Sequence, residues 1–402
     1  MKILCVFGRH AYGDPARGEG YEHASFLPAL AALGHELELF DSLDRASYGG
    51  FAALNRAFVE RVERCRPQAI LCVLMHYEIW TETLDLVRSR SPAALLNWGT
   101  DDSWKFEQFG RFVAPHVDLY VTTSPAAAAR ARRLALDNVV PSQWAASKLC
   151  APLPASRCRY QASFVGTAYG NRRRWVEALR ARGIEVECFG HGWPAGPVDT
   201  PELLRIANES LVSLNFGDSG LHFRRGVPYR SRQIKARTFE VPGAGGLLLT
   251  QPADDLERYF AAGKEIDVFA SPDEAAAKIR RHVNEPERRD AMARAGHERV
   301  RREHTYAARF APLLEEAMSR ARARPPATAP VRGFEAIAAQ HSAPWWLRVL
   351  RVALAAPASL LFGARRGPRA ARRLLFELSW RLAGESTYSA RGWPGRTFYR
   401  ES

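Results

Sequence analysis

Lysine is scarce in this chain. Six Lys (Lys2, Lys105, Lys148, Lys235, Lys264 and Lys278) stand among 57 basic residues in 402, so cationic chemistry falls mainly to Arg, and a Lys beside a motif stands out. Cysteine is sparse too. Cys5, Cys65, Cys72, Cys150, Cys158 and Cys188 include no CxxC pair, which argues against a zinc knuckle or a redox pair and for free thiols in a reducing compartment. No long apolar region follows the first residues: "MKILCVFG" reads straight into a strand, and no signal peptide is expected. Acids nearly vanish towards the end of the chain. From Val331 onward there are twelve Arg, no Lys and four acids (Glu335, Glu377, Glu385 and Glu401), so 8 of the net +14 lies there. The longest uncharged apolar run in that tail, from Val352 to Ala364, has 13 residues and contains Pro357, short of the roughly 20 that span a bilayer.

What is present is an alternation of apolar strands and amphipathic helices, and a chain long enough for two cores. Strand-like runs begin at Lys2, His35, Ala69, Ala93, Leu119 and Val139, with helical patterns at 21–33, 51–65, 81–90 and 125–136. The Pro- and Ala-rich stretch 148–161 reads as a linker. The alternation then resumes, with strands from Ala162, Ile184, Leu211, Gly246 and Glu265 and helices at 172–182, 201–209, 231–240, 272–283 and 286–303. Apolar strands separated by helices predict an α/β fold with two parallel sheets, each covered on both faces. The expected division is 1–150, 151–325 and a basic, Trp- and Arg-rich helical tail at 326–402. The tail lies in an anionic lipid interface, to which Trp345, Trp346 and Trp380 among Arg are suited, packs on the body or on a second subunit, or is disordered. Arg and Trp alone make no stacking platform, so no nucleic-acid partner is expected.

In open parallel sheets ligands bind beyond the carboxyl ends of the strands, so the residues there carry the candidate chemistry. In the first half these are Gly18 and Gly20 in the loop after the first strand, His76 after the third, and Asp101 and Asp102 after the fourth. An acid pair in that place orients hydroxyls or acts as a base, or else caps the next helix. We take His76 and Asp101 as catalytic candidates and Gly18, Gly20 and Asp102 as acceptor-side ones. In the second half, Gly166, Thr167, Arg172 and Arg173 stand where a strand turns into a helix, a setting for a diphosphate. His191 sits between two Gly, and Asn215 follows the next strand. In "KARTFEVPGAGGLLLTQ" Glu240 is a carboxylate in an apolar segment. A buried carboxylate needs partners, and a ribose diol supplies two donors. Gly243 and Gly245 after it would let a ligand approach the backbone.

The run from Lys235 through Arg237–Phe239–Glu240 and Gly263–Lys264–Glu265 to Glu303–His304–Thr305–Tyr306 and Arg309 resembles CgeB-type proteins of the glycosyltransferase group 1 superfamily, and "SFVGTAYGNRRRW", "LNF" and "GTDD" also fit. The likeness is strong over 162–310, moderate over 1–161 and absent in the tail. It implies a GT-B fold, two Rossmann-like domains facing a cleft, and a hexosyltransferase-like enzyme with a nucleotide-sugar co-substrate, UDP-linked first. The acceptor would be a glycan, a lipid-linked molecule or a protein. It implies Glu240 on the ribose, Arg172 or a neighbour with Lys235 or Arg237 on the diphosphate, and no bound metal. Such an enzyme would be cytoplasmic, and peripheral on the membrane if the tail meets lipid. The sequence departs from the group at one place: the second Glu common eight positions before the ribose Glu is Arg232 here. That leaves retention of configuration open. A nucleotide-sugar epimerase and a catalytically degenerate binding protein on the same fold are the alternatives.

Overall fold

The computed structural model describes residues 1–224, 227–325 and 332–401. Two compact units emerge: Met1–His23 with Leu30–Ser142 and Ala311–Ser402, and Ala24–Ala29 with Gln143–Phe310. The chain therefore does not divide into three successive stretches. Helix Tyr306–Arg322 begins in the second unit and returns the chain to the first. There Arg324 anchors it, donating to the carbonyl of Ala93 at 3.0 Å and to the buried carboxylate of Asp118 at 2.5 and 3.0 Å.

In the first unit the strands are β1 (Lys2–Val6), β2 (Glu36–Phe40), β3 (Ala69–Cys72), β4 (Ala94–Gly99), β5 (Leu119–Thr122) and β6 (Val139–Pro141), paired in parallel in the order β2-β1-β3-β4-β5-β6. β3, β4 and β5 are buried at every residue, as expected of continuous apolar runs between two helical layers, while "ELELF" of the edge strand β2 keeps exposed positions. In the second unit β7 (Tyr160–Val165), β8 (Val186–Phe189), β9 (Ser210–Asn215), β12 (Leu248–Thr250) and β13 (Asp267–Val268) pair in parallel in the order β13-β12-β9-β7-β8. Side-chain oxygens start several helices: Ser124 caps Pro125–Arg133, Asp199 caps Thr200–Asn208 and Ser271 caps Pro272–Asn284, two of them followed directly by Pro.

Two stretches differ from the sequence reading. Between β9 and β12 stands an antiparallel hairpin of β10 (Asp218–Arg224) and β11 (Val227–Arg232), in which Arg232 pairs with Asp218. The helix expected over 231–240 therefore starts at Arg237 and runs to Gly243, because strand pairing claims the residues before it. The supposed linker 148–161 is strapped to the second unit. The Cys150 amide donates to Gly243 at 2.9 Å, the Ala155 amide to Asp290 at 2.9 Å, and the wholly buried Arg289 to Leu153 at 2.8 Å.

Much of the C-terminal tail packs into the first unit. Phe334, Ile337, Phe376, Tyr388 and Ala390 share one core with Phe51, Tyr77, Trp80 and Phe109. Tyr399 stands edge-on to Phe51 with centroids 4.7 Å apart, and His341 lies 4.9 Å from Trp80. A Cβ at Gly395 would fall 2.0 Å from the Tyr77 ring, so only Gly fits that approach. Helix Trp345–Phe362 stands apart from this: by length and composition alone it is long and apolar enough to cross a membrane, and 6% of it is buried.

Candidate functional site

In the second unit the strand order reverses between β7 and β9, the crevice where open α/β sheets take ligands. The loops after β7 and β8 interlock there. The Gly166 amide donates to Phe189 at 2.7 Å, the indole of Trp193 donates to the Gly166 carbonyl at 2.7 Å, and the Ala168 amide donates to His191 at 2.8 Å. Gly190 has a φ of 122°, and a Cβ there would meet the Gly166 carbonyl oxygen at 2.5 Å, so glycine lets the two loops cross. A Cβ on Gly166 itself would lie 3.4 Å from the guanidinium of Arg237. Arg237 is half-buried, and among the described residues its Nε has no hydrogen-bond partner. Thr167, Arg173 and His191 present exposed side chains at the same loops, and Arg173 lies over the Trp193 ring at 5.2 Å. The structure thus brings together Gly166, Thr167, Arg173, His191 and Arg237.

Four donor-side candidates make contacts within the unit. Arg172 is buried. It donates to the carbonyls of Thr167 at 2.9 Å and Phe216 at 3.4 Å and lies 4.0 Å over the Tyr169 ring, so its charge ties the loop rather than facing solvent. Asn215 is buried and donates to Thr250 at 2.9 Å, linking β9 to β12. Gly243 and Gly245 serve packing. A Cβ on Gly243 would lie 2.6 Å from that of Ala146, and one on Gly245 would lie 2.6 Å from the Cα of Pro152. Lys235 is half-buried just before the Arg237–Gly243 helix, and Glu240 is buried within it.

The Glu303–His304–Thr305–Tyr306 run and Arg309, part of the motif in the sequence, form a support behind that helix. The Nε2 of His304 lies 2.9 Å from the carbonyl of Tyr259, which can only accept, so Nε2 carries the proton and Nδ1 accepts from Arg309 at 2.9 Å. Burial and the Arg309 charge hold the imidazole below its ordinary pKa, in keeping with this neutral form. The ring packs edge-on to Phe239, one residue before Glu240. The His–Thr–Tyr run thus steadies the helix from behind.

In the first unit the reversal lies between β1 and β3. Gly20, after β1, donates to the carbonyl of Arg9 at 2.8 Å, and a Cβ on it would meet the Gly8 carbonyl oxygen at 2.7 Å. Gly18, with φ 81°, is exposed and open. Asp101, after β4, adopts φ 56°, ψ 27°, the left-handed region that a non-glycine residue rarely takes and that clusters at functional sites. A short helix and then a π-turn, Phe106–Gly110, follow it. Asp102 is not a helix cap. It is buried and accepts from the Tyr120 hydroxyl at 3.1 Å, and burial pushes its carboxyl up to about 7.

Lys105, one turn on, is buried and is the shared neighbour. Burial lowers its pKa, while Glu78, Asp101 and Asp102 hold the charge in place. His76 packs between Phe109, at 6.2 Å, and Phe376 of the tail, at 5.7 Å. Burial, then Lys105, Arg372 and Arg373, keep it well below the ordinary His range, so the imidazole is neutral. Glu78 takes the backbone amides of Met75 and, at 2.8 Å, His76. Lys105, Glu78 and Arg372 went unnoticed in the sequence. The scarcity of Lys was the one available signal for Lys105. Among the described residues no three His, Cys, Asp or Glu side chains converge as metal ligands.

Residues 172–315 match the family described as glycosyl transferase-like. No curated protein sequence matches the chain. Among solved structures it is similar to sucrose-phosphate synthase from Thermosynechococcus elongatus, at 14% identity and a TM-score of 0.54, over 79% of this chain and 100% of that one. It is also similar to a DNA-modifying β-glucosyltransferase whose substrate is uridine diphosphoglucose, at 11% identity and a TM-score of 0.50, over 79% and 100%. With its two parallel Rossmann-like sheets, the chain has the GT-B fold.

Proposed function

We propose that the protein is a glycosyltransferase of the CgeB type that moves a sugar from a nucleotide sugar, UDP-linked first, to a hydroxyl of a glycan, lipid-linked or protein acceptor, without a resident metal. One observation carries this reading: Arg237, whose Nε is unpaired among the described residues, stands against Gly166 at the β7/β9 crevice, inside the stretch that matches the glycosyl transferase-like family. Sugar transfer breaks the bond from the anomeric carbon to the diphosphate oxygen, and negative charge grows on the leaving group. Guanidinium groups fixed in place stabilise that charge without reorganising. Arg237 and Arg173, with Lys235 and the loop at Thr167, take this role, with Gly166 leaving room beside Arg237, and Glu240 accepts the ribose hydroxyls. His191 flanks the base or the sugar.

The first unit carries the acceptor-side residues. As the acceptor oxygen bonds to the anomeric carbon, its proton passes to the Asp101 carboxylate, and His76, which has Lys105 as a neighbour in common with Asp101, serves as a neutral hydrogen-bonding group. Lys105 is the positioning cation for these acids.

Calorimetric titration with UDP, GDP and TDP tests the donor side. A diphosphate nucleotide should bind the native chain, and Arg237→Ala should weaken binding by about 1.5–3 kcal/mol, the usual worth of a hydrogen bond to a charged group. Binding of none of the three, or equal binding by a folded Arg237→Ala variant, would remove this reading.

A further inference from the structure

The helical hairpin of Trp345–Phe362 and Gly367–Ala383 buries one side and leaves another bare. Its inner seam joins Leu350, Leu354 and Ala358 of the first helix to Ala371 and Leu375 of the second, and Gly367 crosses so close to Ser359 that a Cβ would lie 2.3 Å from the Ser Cα. On the first helix Trp345, Val349, Val352 and Leu360 recur every few residues as an exposed apolar stripe, and they are 57–90% exposed. Leu361 and Phe362 follow at the tip, 78% and 57% exposed, and the second helix adds Leu374, Leu378 and Leu382.

Charge tells what covers this surface. From Ala336 to Phe376 there are seven Arg and no acid. Arg365 and Arg366 stand exposed in the turn right after Phe362. Apolar tips beside uncompensated Arg, with Trp near the helix start, match an anionic bilayer interface. A protein partner would be expected to answer the exposed Arg with acids, and a second copy of this chain would bring the same exposed Arg365 and Arg366 against its own.

We infer that the hairpin docks on an anionic lipid surface, with Leu360, Leu361 and Phe362 entering the acyl boundary and Arg365 and Arg366 meeting the headgroups. The hairpin lies on the bilayer rather than crossing it. The uncharged part of the first helix after Arg348 and Arg351, from Val352 to Phe362, has 11 residues, short of the roughly 20 that span a bilayer. The first helix is also held in the fold, since Arg351 donates to the carbonyl of Thr397 at 3.2 Å and to Glu401 at 2.8 Å. The second helix has two duties: Leu374, Leu378 and Leu382 are exposed, while Phe376 packs on His76. The docked surface is thus continuous with a wall of the acceptor-side residues. The docking inference does not rest on the glycosyltransferase reading.

Sedimentation of the full chain with vesicles tests it. The protein should pellet with phosphatidylcholine mixed with phosphatidylserine, much less with phosphatidylcholine alone, and less as salt rises. The variant L360S/L361S/F362S changes only exposed positions and should keep the native circular dichroism while losing tenfold or more in vesicle affinity. R365Q/R366Q should lose about fivefold per Arg and flatten the salt dependence. Failure of the native chain to pellet with phosphatidylserine vesicles would overturn the inference, as would unchanged binding by the folded triple variant. A native dimer that becomes a monomer in the triple variant, without vesicle binding, would assign the stripe to self-association and overturn it equally.

Discussion

A chain ending at Pro330 should not retain a native first unit. The tail contributes Phe334, Ile337, Phe376 and Tyr388 to that unit's core, each at most 8% exposed. Fully burying a large apolar side chain stabilises by about 1.5–3 kcal/mol, so these four together are worth about 6–12 kcal/mol, before counting the tail's hydrogen bonds. A domain's whole stability is about 5–15 kcal/mol. The loss is therefore of the same size as the total. It also uncovers Tyr77, Trp80 and Phe109, now 0–1% exposed. The carboxylate of Glu82 would lose the Ala390 amide it accepts at 3.1 Å, and His116 would lose Glu385, now at 3.0 Å. Soluble yield, dye binding to exposed apolar surface and limited proteolysis would read the outcome. The second unit, whose core clusters contain no tail residue among the described residues, should survive as the protected fragment. A truncated chain that stays monomeric, binds no dye and melts within a few degrees of the full chain would refute the reasoning.

Three further perturbations separate support from chemistry. Asp102→Asn should raise stability most at high pH. In the folded chain this carboxyl titrates near 7 because it is buried, against about 4 when unfolded, so between those values the native state holds a proton that the unfolded state has released, and stability falls as pH rises. The variant lacks that slope, so its advantage should grow by up to about 4 kcal/mol from pH 4 to pH 8 in denaturant titrations. Parallel curves would deny the buried titration. Gly243→Ala should lower the melting temperature of the second unit, because its Cβ would collide with Ala146, yet leave nucleotide affinity of the folded protein unchanged. Glu240→Ala should do the converse, weakening nucleotide binding by about 1–3 kcal/mol. A Gly243→Ala variant that folds normally and loses nucleotide would return that glycine to the donor site.

The sheets were legible because their physics is local. A strand buried on both faces must read as an unbroken apolar run, and "AILC" and "ALLNWG" do; caps such as Ser124 and Ser271 mark where helices begin. What escaped reading depends on partners far along the chain. Arg232 looked like a helical substitute for a Glu, but antiparallel pairing with Asp218 makes it a strand residue, so the eight-residue spacing to Glu240 is not a helical one. Arg172 looked like an anion ligand by its place after a strand. Only the fold reveals that the carbonyls of Thr167 and Phe216 occupy it. The tail shows the same limit from the other side. Its composition marked an apolar, Arg-rich segment, but composition is blind to which Phe turns inward. Phe376 lies on His76, while Leu374 and Leu378, two residues to either side, stay exposed. One helix can therefore serve a core and a surface at once. For the same reason the truncation and the tip variant must be read together: removing the tail destroys the unit, whereas changing Leu360, Leu361 and Phe362 removes only what those side chains touch.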